Sequence, residues 1–274
     1  MKNGSTALAV ALCLLGVGVV GCGGSGSDDG DSGSGGGEVK IEACSAIGLA
    51  KIYGGHACNT SAGDTSLVRL TILNDNGEYS LCSGTVIGDR EILTAAHCVG
   101  SSTTGVFASR VLVQTQTVSL EADRVSIDPS FYETNDAFFN DVAIIRVPQV
   151  ITDPRSALLT SRPVSVGEEL VVAGFGLQDD GATSGELLAG NAFVESVTSQ
   201  HILTRSPSNP CYGDSGSAAF ALAPDGTQAI AGVVSTGNPN APDCGPEDYT
   251  RYAAANNADV LAFIVGEVPE AVLK

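Results

Sequence analysis

Residues 209–220 read NPCYGDSGSAAF, with Ser215 directly after Asp214 and the pair set between two glycines, Gly213 and Gly216. Ser, Asp and Gly all favour tight turns, so the stretch on its own describes a surface turn in a glycine-rich chain. A serine hydroxyl becomes a nucleophile only when a nearby base takes its proton. The rest of the chain therefore decides what Ser215 is.

Two further stretches supply the missing groups: LTAAHC (93–98) and NDVAIIRV (140–147). They place a histidine, an aspartate and a serine in the chain order His97, Asp141, Ser215. Separately, each has an ordinary explanation, since a lone His is usually structural and an Asp ahead of an apolar strand is often a turn residue. Together, with Cys98 beside the histidine and Cys211 shortly before the serine, they form a base, an orienting carboxylate and an alcohol. The order excludes an α/β-hydrolase, which presents Ser, then Asp, then His in a GxSxG elbow. Here Ser217 stands where that motif needs its second glycine.

The chain has 274 residues and a net charge of −18. That length can bury a substantial core in one large or two small domains. The acidic balance excludes a nucleic-acid partner, because phosphate binding needs a basic face. From about residue 65 the sequence runs in short segments rich in Val, Ile, Leu and Thr, among them SLVRLTIL, SGTVIG, SRVLVQTQTVSL, DVAIIRV, ELVVAGFG, HILTR and AIAGVVSTG. Bounded by Gly, Asp, Asn or Pro, such runs predict an all-β sandwich or barrels. Helix is predicted for TAAHCVG, as a single turn, and for NADVLAFIVGEV near the end.

The first residues read as a processing segment. Lys2 precedes the apolar run ALAVALCLLGVGVV (7–20), short of the about 20 residues a bilayer crossing needs and of the length of a secretory h-region. Its end, Val19-Val20-Gly21-Cys22, resembles the bacterial lipoprotein signal, in which the cysteine is lipidated and becomes the first mature residue. GGSGSDDGDSGSGGG (23–37) holds only Gly, Ser and Asp. It cannot bury apolar area and reads as a flexible tether of about 20 Å. Cys13 leaves with the signal and Cys22 takes the lipid, so Cys44, Cys58, Cys82, Cys98, Cys211 and Cys244 remain. An even set in an exported protein predicts three disulfides, with the connectivity open. There is no CxxC pair and no HExxH spacing among His56, His97 and His201, so no metal or other cofactor is expected.

The ordered stretches resemble the chymotrypsin/trypsin family of serine endopeptidases. CSGTVIGDREILTAAHC (82–98) looks like its first-barrel signature, DVAIIRV its aspartate strand, VAGFG (172–176) its mid-chain segment and GDSGS its nucleophile loop. The likeness runs from IYGG at 52 to DYTRY at 248–252. It implies two packed antiparallel six-stranded β-barrels of the trypsin-like type with a C-terminal helix. The first barrel would span 52–160 and carry His97 and Asp141; the second would span 161–274 and carry Ser215 and the specificity pocket. A signal peptide (1–21) and a lipid-anchored linker and propeptide (22–51) would precede them.

The same resemblance assigns roles. His97 is the general base, Asp141 its partner and Ser215 the nucleophile, with the N–H groups of Gly213 and Ser215 as the oxyanion hole. It pairs Cys82 with Cys98 and Cys211 with Cys244, which leaves Cys44 for Cys58. AKIYGG (50–55) is similar to the family's activation site, cut after Lys51 by another protease or by self-cleavage so that the Ile52 amine pairs with Asp214. A Cys44–Cys58 bridge straddling that cut would keep the propeptide and its anchor attached. In the primary pocket, Asn209 takes the floor, where Asp would select Lys or Arg; Ser235 and Gly237 border it, and Glu247 falls on its wall. The expected protein is an exported zymogen, lipid-anchored to a bacterial cell-envelope membrane and acting on protein or peptide substrates, with a lean towards basic or polar residues at the cut. The alternative is a catalytically silent binding module on the same fold; the presence of His97, Asp141, Ser215 and Gly213 argues for the enzyme.

Overall fold

The computed structural model describes residues 65–178, 184–206, 208–238, 244–245 and 248–274. All of them fall in one compact unit, Val39–Lys274. The apolar runs form strands that collect into two main sheets. β1 (Leu67–Asn74) turns through Asn76-Gly77 into β2 (Tyr79–Val86), and β3 (Glu91–Thr94) follows. Gly77 takes φ 86°, the left-handed conformation that this tight turn needs. Next come α1 (Ala96–Val99), β4 (Gly100–Ser101), β5 (Val106–Gln114), β6 (Ser119–Glu121) and β7 (Arg124–Ile127). A separate hairpin of β8 (Tyr132–Glu133) and β9 (Phe138–Phe139) precedes β10 (Ala143–Arg146). The strands order β4-β5-β1-β2-β3-β10-β7, with β6 on β5. The run predicted over 109–120 is thus divided. Thr115 closes a turn, its hydroxyl accepting from the N–H groups of Thr117 and Val118 at 3.1 Å, and β6 folds back onto β5.

A connection then leads to β11 (Ala157–Leu158), which lies parallel to β16 (Gln228–Gly237). These two residues, on the first-barrel side of a division at 160, therefore hydrogen-bond to the second sheet. That sheet is completed by β12 (Glu169–Gly174), β13 (Leu188–Val197), β14 (His201–Arg205), β15 (Ala218–Leu222) and β17 (Tyr249–Ala254). The order is β11-β16-β15-β12-β13-β14-β17, and β17 also pairs with β16. Six antiparallel strands so close on themselves, which removes free edges and leaves β11 outside. The last helix, α2 (Ala258–Glu267), starts at Asn257, whose side chain accepts from the N–H groups of Asp259 and Val260. It buries Val260 and Ile264, four residues apart on one face. Among the described residues, no helix is long and apolar enough to cross a membrane.

Two apolar cores result. The larger joins Leu67, Leu70, Ile92 and Ile145 of the first sheet to Phe220, Ile230 and Val233 of the second, so the sheets share it. The smaller fills the second barrel with residues such as Leu170, Val172, Ile202 and Tyr252. Tyr252 is wholly buried, and its hydroxyl meets Thr204 Oγ1 at 3.1 Å, so its large ring is buried without orphaning its polar end.

Candidate active site

His97 owes its position to its neighbours. Ala96, Cys98 and Val99 are buried and fix the α1 turn, while His97 keeps 19% of its side chain exposed. A disulfide between Cys98 and Cys82 ties the turn to β2. From the other side, Asn140 adopts φ 50°, a left-handed conformation that Asn tolerates, and turns Asp141 inward just before β10. The Asp141 carboxylate is wholly buried. Its Oδ1 accepts from the His97 backbone N–H at 2.9 Å. Its Oδ2 accepts from His97 Nδ1–H at 2.7 Å and from the Ser235 hydroxyl at 2.5 Å. Burial pushes the Asp141 carboxyl up, but the His97 charge and these hydrogen bonds outweigh it and hold it below its ordinary value. Burial likewise pulls His97 down and is outweighed by Asp141, with Glu133 adding to it, so the imidazole is held above its ordinary value. A carboxylate only accepts, so Nδ1 carries the proton and Nε2 of the neutral ring is left as the acceptor.

Ser215 lies in a loop strung between the barrels. Gly213 and Gly216 take φ 99° and 85°. A Cβ on Gly216 would collide with Thr94 Oγ1 and the Ser83 carbonyl, so only glycine lets the loop lie this close to the first sheet. Ser83, buried in β2, clamps the loop with two bonds and takes a third from the segment after β12. Its N–H donates to the Ser215 carbonyl at 2.8 Å, and its hydroxyl donates to the Gly213 carbonyl at 2.9 Å while accepting from Phe175 N–H at 3.0 Å. The second barrel holds the other side, with Gly216 N–H donating to the Val234 carbonyl and Val234 N–H to the Ser217 carbonyl, both at 2.8 Å. The N–H groups of Asp214, Gly216 and Ser217 thus all have backbone acceptors. Among the described residues, those of Gly213 and Ser215 have none.

Asp214, between them, points into the protein. It is 1% exposed, and its two oxygens accept from Gly176 N–H and Cys211 N–H, each at 2.8 Å. The glycines of VAGFG make its seat: a Cβ on Gly176 would come within 2.6 Å of Asp214 Cγ. Burial outweighs the two backbone hydrogen bonds and pushes this carboxyl up to about 6. It has no cationic partner among the described residues.

His97 and Ser215 line one cleft of about 390 Å³, together with Asn209, Ser235, Gly237 and Asp248. A Cys211–Cys244 disulfide lies at its side. Asn209 is 1% exposed and donates through Nδ2 to the carbonyls of Gly245 at 2.8 Å and Asp248 at 3.4 Å, while its Oδ1 is buried with no donor among the described residues. An aspartate could not make those two donations. Glu247, Lys51, Ile52, Cys22, Cys44 and Cys58 lie outside the described residues. Sequence reasoning passed over Ser83, which holds the Ser215 loop, and Asp248, which lines the cleft. Ser83 had no distinguishing signal, since β2 reads YSLCSGTV and carries Ser80 and Thr85 as well. Asp248 adjoins Glu247, and which of the two faces the cleft depends on the register of a loop, which composition does not encode.

Two β-barrels sharing a core, with a buried imidazole–carboxylate pair and a serine loop facing one cleft, define a double-barrel protein of the serine-protease type. The sequence matches the trypsin family over residues 52–258, and the chain belongs to that family. It is similar to serine protease SP24D of Anopheles gambiae, 29% identical over 161 residues, or 53% of this chain and 59% of that protein. It is 30% identical over 126 residues to phenoloxidase-activating factor 3 of Holotrichia diomphalia, covering 38% of this chain and 36% of that protein. Both matches span less than two thirds of the relative's length. A solved structure of HL collagenase superposes with a TM-score of 0.62 at 20% identity, covering 80% of this chain and 98% of that one, which is a likeness of fold.

Proposed function

We propose that the protein is an exported, trypsin-like serine endopeptidase that hydrolyses peptide bonds through an acyl-enzyme on Ser215. The observation that carries this reading is the buried Asp141–His97 pair, 2.7 Å apart, at a cleft that Ser215 also lines. His97 Nε2 takes the hydroxyl proton as Ser215 attacks the carbonyl, and Asp141 holds the ring in the required tautomer and stabilises its protonated form. The N–H groups of Gly213 and Ser215 receive the developing oxyanion, each worth about 3–4 kcal/mol in comparable sites. The protonated His97 then releases the leaving amine, and water completes the cycle.

The chain is made as a zymogen. Cleavage after Lys51, by another protease or by the enzyme itself, frees the Ile52 amine to pair with Asp214, whose burial with no cation beside it among the described residues supports this assignment. The barrels correspond to 52–160 and 161–274, preceded by a signal peptide (1–21) and a linker and propeptide (22–51) anchored through lipid on Cys22 to a bacterial cell-envelope membrane. Cys44 pairs with Cys58. Substrates are proteins or peptides, bound with a side chain directed at Asn209. A fluorophosphonate probe tests the reading: it labels the cleaved protein and not its Ser215→Ala variant. A protein that takes no label under any activation is the silent binding module instead.

A further inference from the structure

The hairpin that leads into Asp141 belongs to neither barrel sheet. β8 and β9 pair with each other, Tyr132 opposite Phe139 and Glu133 opposite Phe138. Phe138 packs on the imidazole of His97, with ring centroids 5.2 Å apart, and Phe131 meets Phe138 edge-on at 6.3 Å. A two-stranded hairpin is marginally stable by itself. What holds it down therefore decides how firmly Phe138 sits on His97.

The second barrel supplies the holding groups. His201, the first residue of β14, brings Nε2 within 2.7 Å of the Phe138 carbonyl oxygen. A carbonyl only accepts, so Nε2 carries the proton. The Phe139 ring is stacked on Tyr132 at 4.6 Å and meets His201 at 4.9 Å. Arg251 of β17 donates to the Asp136 carbonyl in the hairpin turn. His201 is itself fixed by its own turn, its N–H donating to Thr198 Oγ1 at 2.9 Å.

We propose that His201 is a positioning residue: it latches the β8–β9 hairpin to the second barrel through the Phe138 carbonyl and so holds the Phe138 ring against His97. The inference rests on His97 acting as the base proposed above. His201 acts through Phe138 and steadies the orientation in which His97 meets Asp141. Because Phe139 lies two residues before Asp141, the same latch steadies the carboxylate.

The test compares cleaved wild type with His201→Gln and His201→Asn. The Gln amide nitrogen reaches the place of Nε2, whereas the Asn amide stops at the place of Nδ1. Fluorophosphonate labelling of Ser215 slows about tenfold in His201→Asn and stays within about threefold of wild type in His201→Gln. Thermal midpoints stay alike, and the downfield resonance of His97 Nδ1–H broadens in the Asn variant alone. Should His201→Asn fail to fold, Phe138→Leu, which keeps the carbonyl and removes the ring, shows the same slowing. Equal rates in all variants, or equal loss in both His201 variants, overturns the proposal. If wild type takes no label, the nucleophile reading fails separately, and an equally sharp His97 resonance in all three proteins overturns the latch.

Discussion

The buried Asp214 carboxyl gives the uncut chain a pH dependence with a definite sign. In the folded protein its pKa is raised from 3.8 to about 6 by burial. The folded state therefore binds this proton more tightly than the unfolded state does. The resulting stability is fully present below 3.8 and is lost as pH rises through about 6. The full difference is about 3 kcal/mol, most of it lost between about pH 4 and pH 7. The assay is urea unfolding of a chain that cannot be cut, carrying Lys51→Gln and Ser215→Ala, with and without Asp214→Asn. Other titrating groups are common to both proteins and cancel. Asp214→Asn loses one hydrogen bond from Gly176 or Cys211, a constant offset. Relative to that variant, the chain with Asp214 loses stability as pH rises, and the difference levels off above about pH 7. After cleavage at Lys51 the Ile52 amine supplies the missing cation, and the fall disappears. A pH-independent difference in the uncut chain, or one of opposite sign, refutes the reasoning.

Asp141→Asn turns an amide N–H₂ towards one of the donors His97 and Ser235, and forces the wrong imidazole tautomer. Peptide hydrolysis falls by about 10⁴-fold, and a loss below tenfold counts against the assigned role. Gly176→Ala puts a methyl 2.6 Å from Asp214 Cγ and 2.8 Å from its backbone nitrogen, which lowers stability by about 1–3 kcal/mol in urea unfolding. Gly266→Ala in α2 meets nothing within 4 Å and instead raises stability by about 0.5–1 kcal/mol. Cys22→Ser moves the protein from the membrane to the soluble fraction, and unchanged fractionation removes the anchor proposal. Reductant releases the cleaved catalytic unit from the membrane where Cys44 and Cys58 are joined, and an unchanged distribution argues against that bridge.

Much of the architecture was legible in the residues because it is local. Short Val- and Ile-rich runs between turn formers dictate strands; HILTR is β14 to the residue, and NADVLAFIVGEV contains α2 with its Asn257 cap. The order His97, Asp141, Ser215 singled out one chemistry and excluded another through chain order alone. The tertiary structure decided what depends on groups far apart in sequence. Ser83 clamping the Ser215 loop, Ser235 donating to Asp141, the seat of Asp214 against Gly174 and Gly176, and His201 beneath the Phe138 carbonyl each join segments from different strands or loops. A strand signal is the periodicity of neighbouring residues, whereas the partner of a buried polar group is set by how two sheets twist and pack, which no local pattern records.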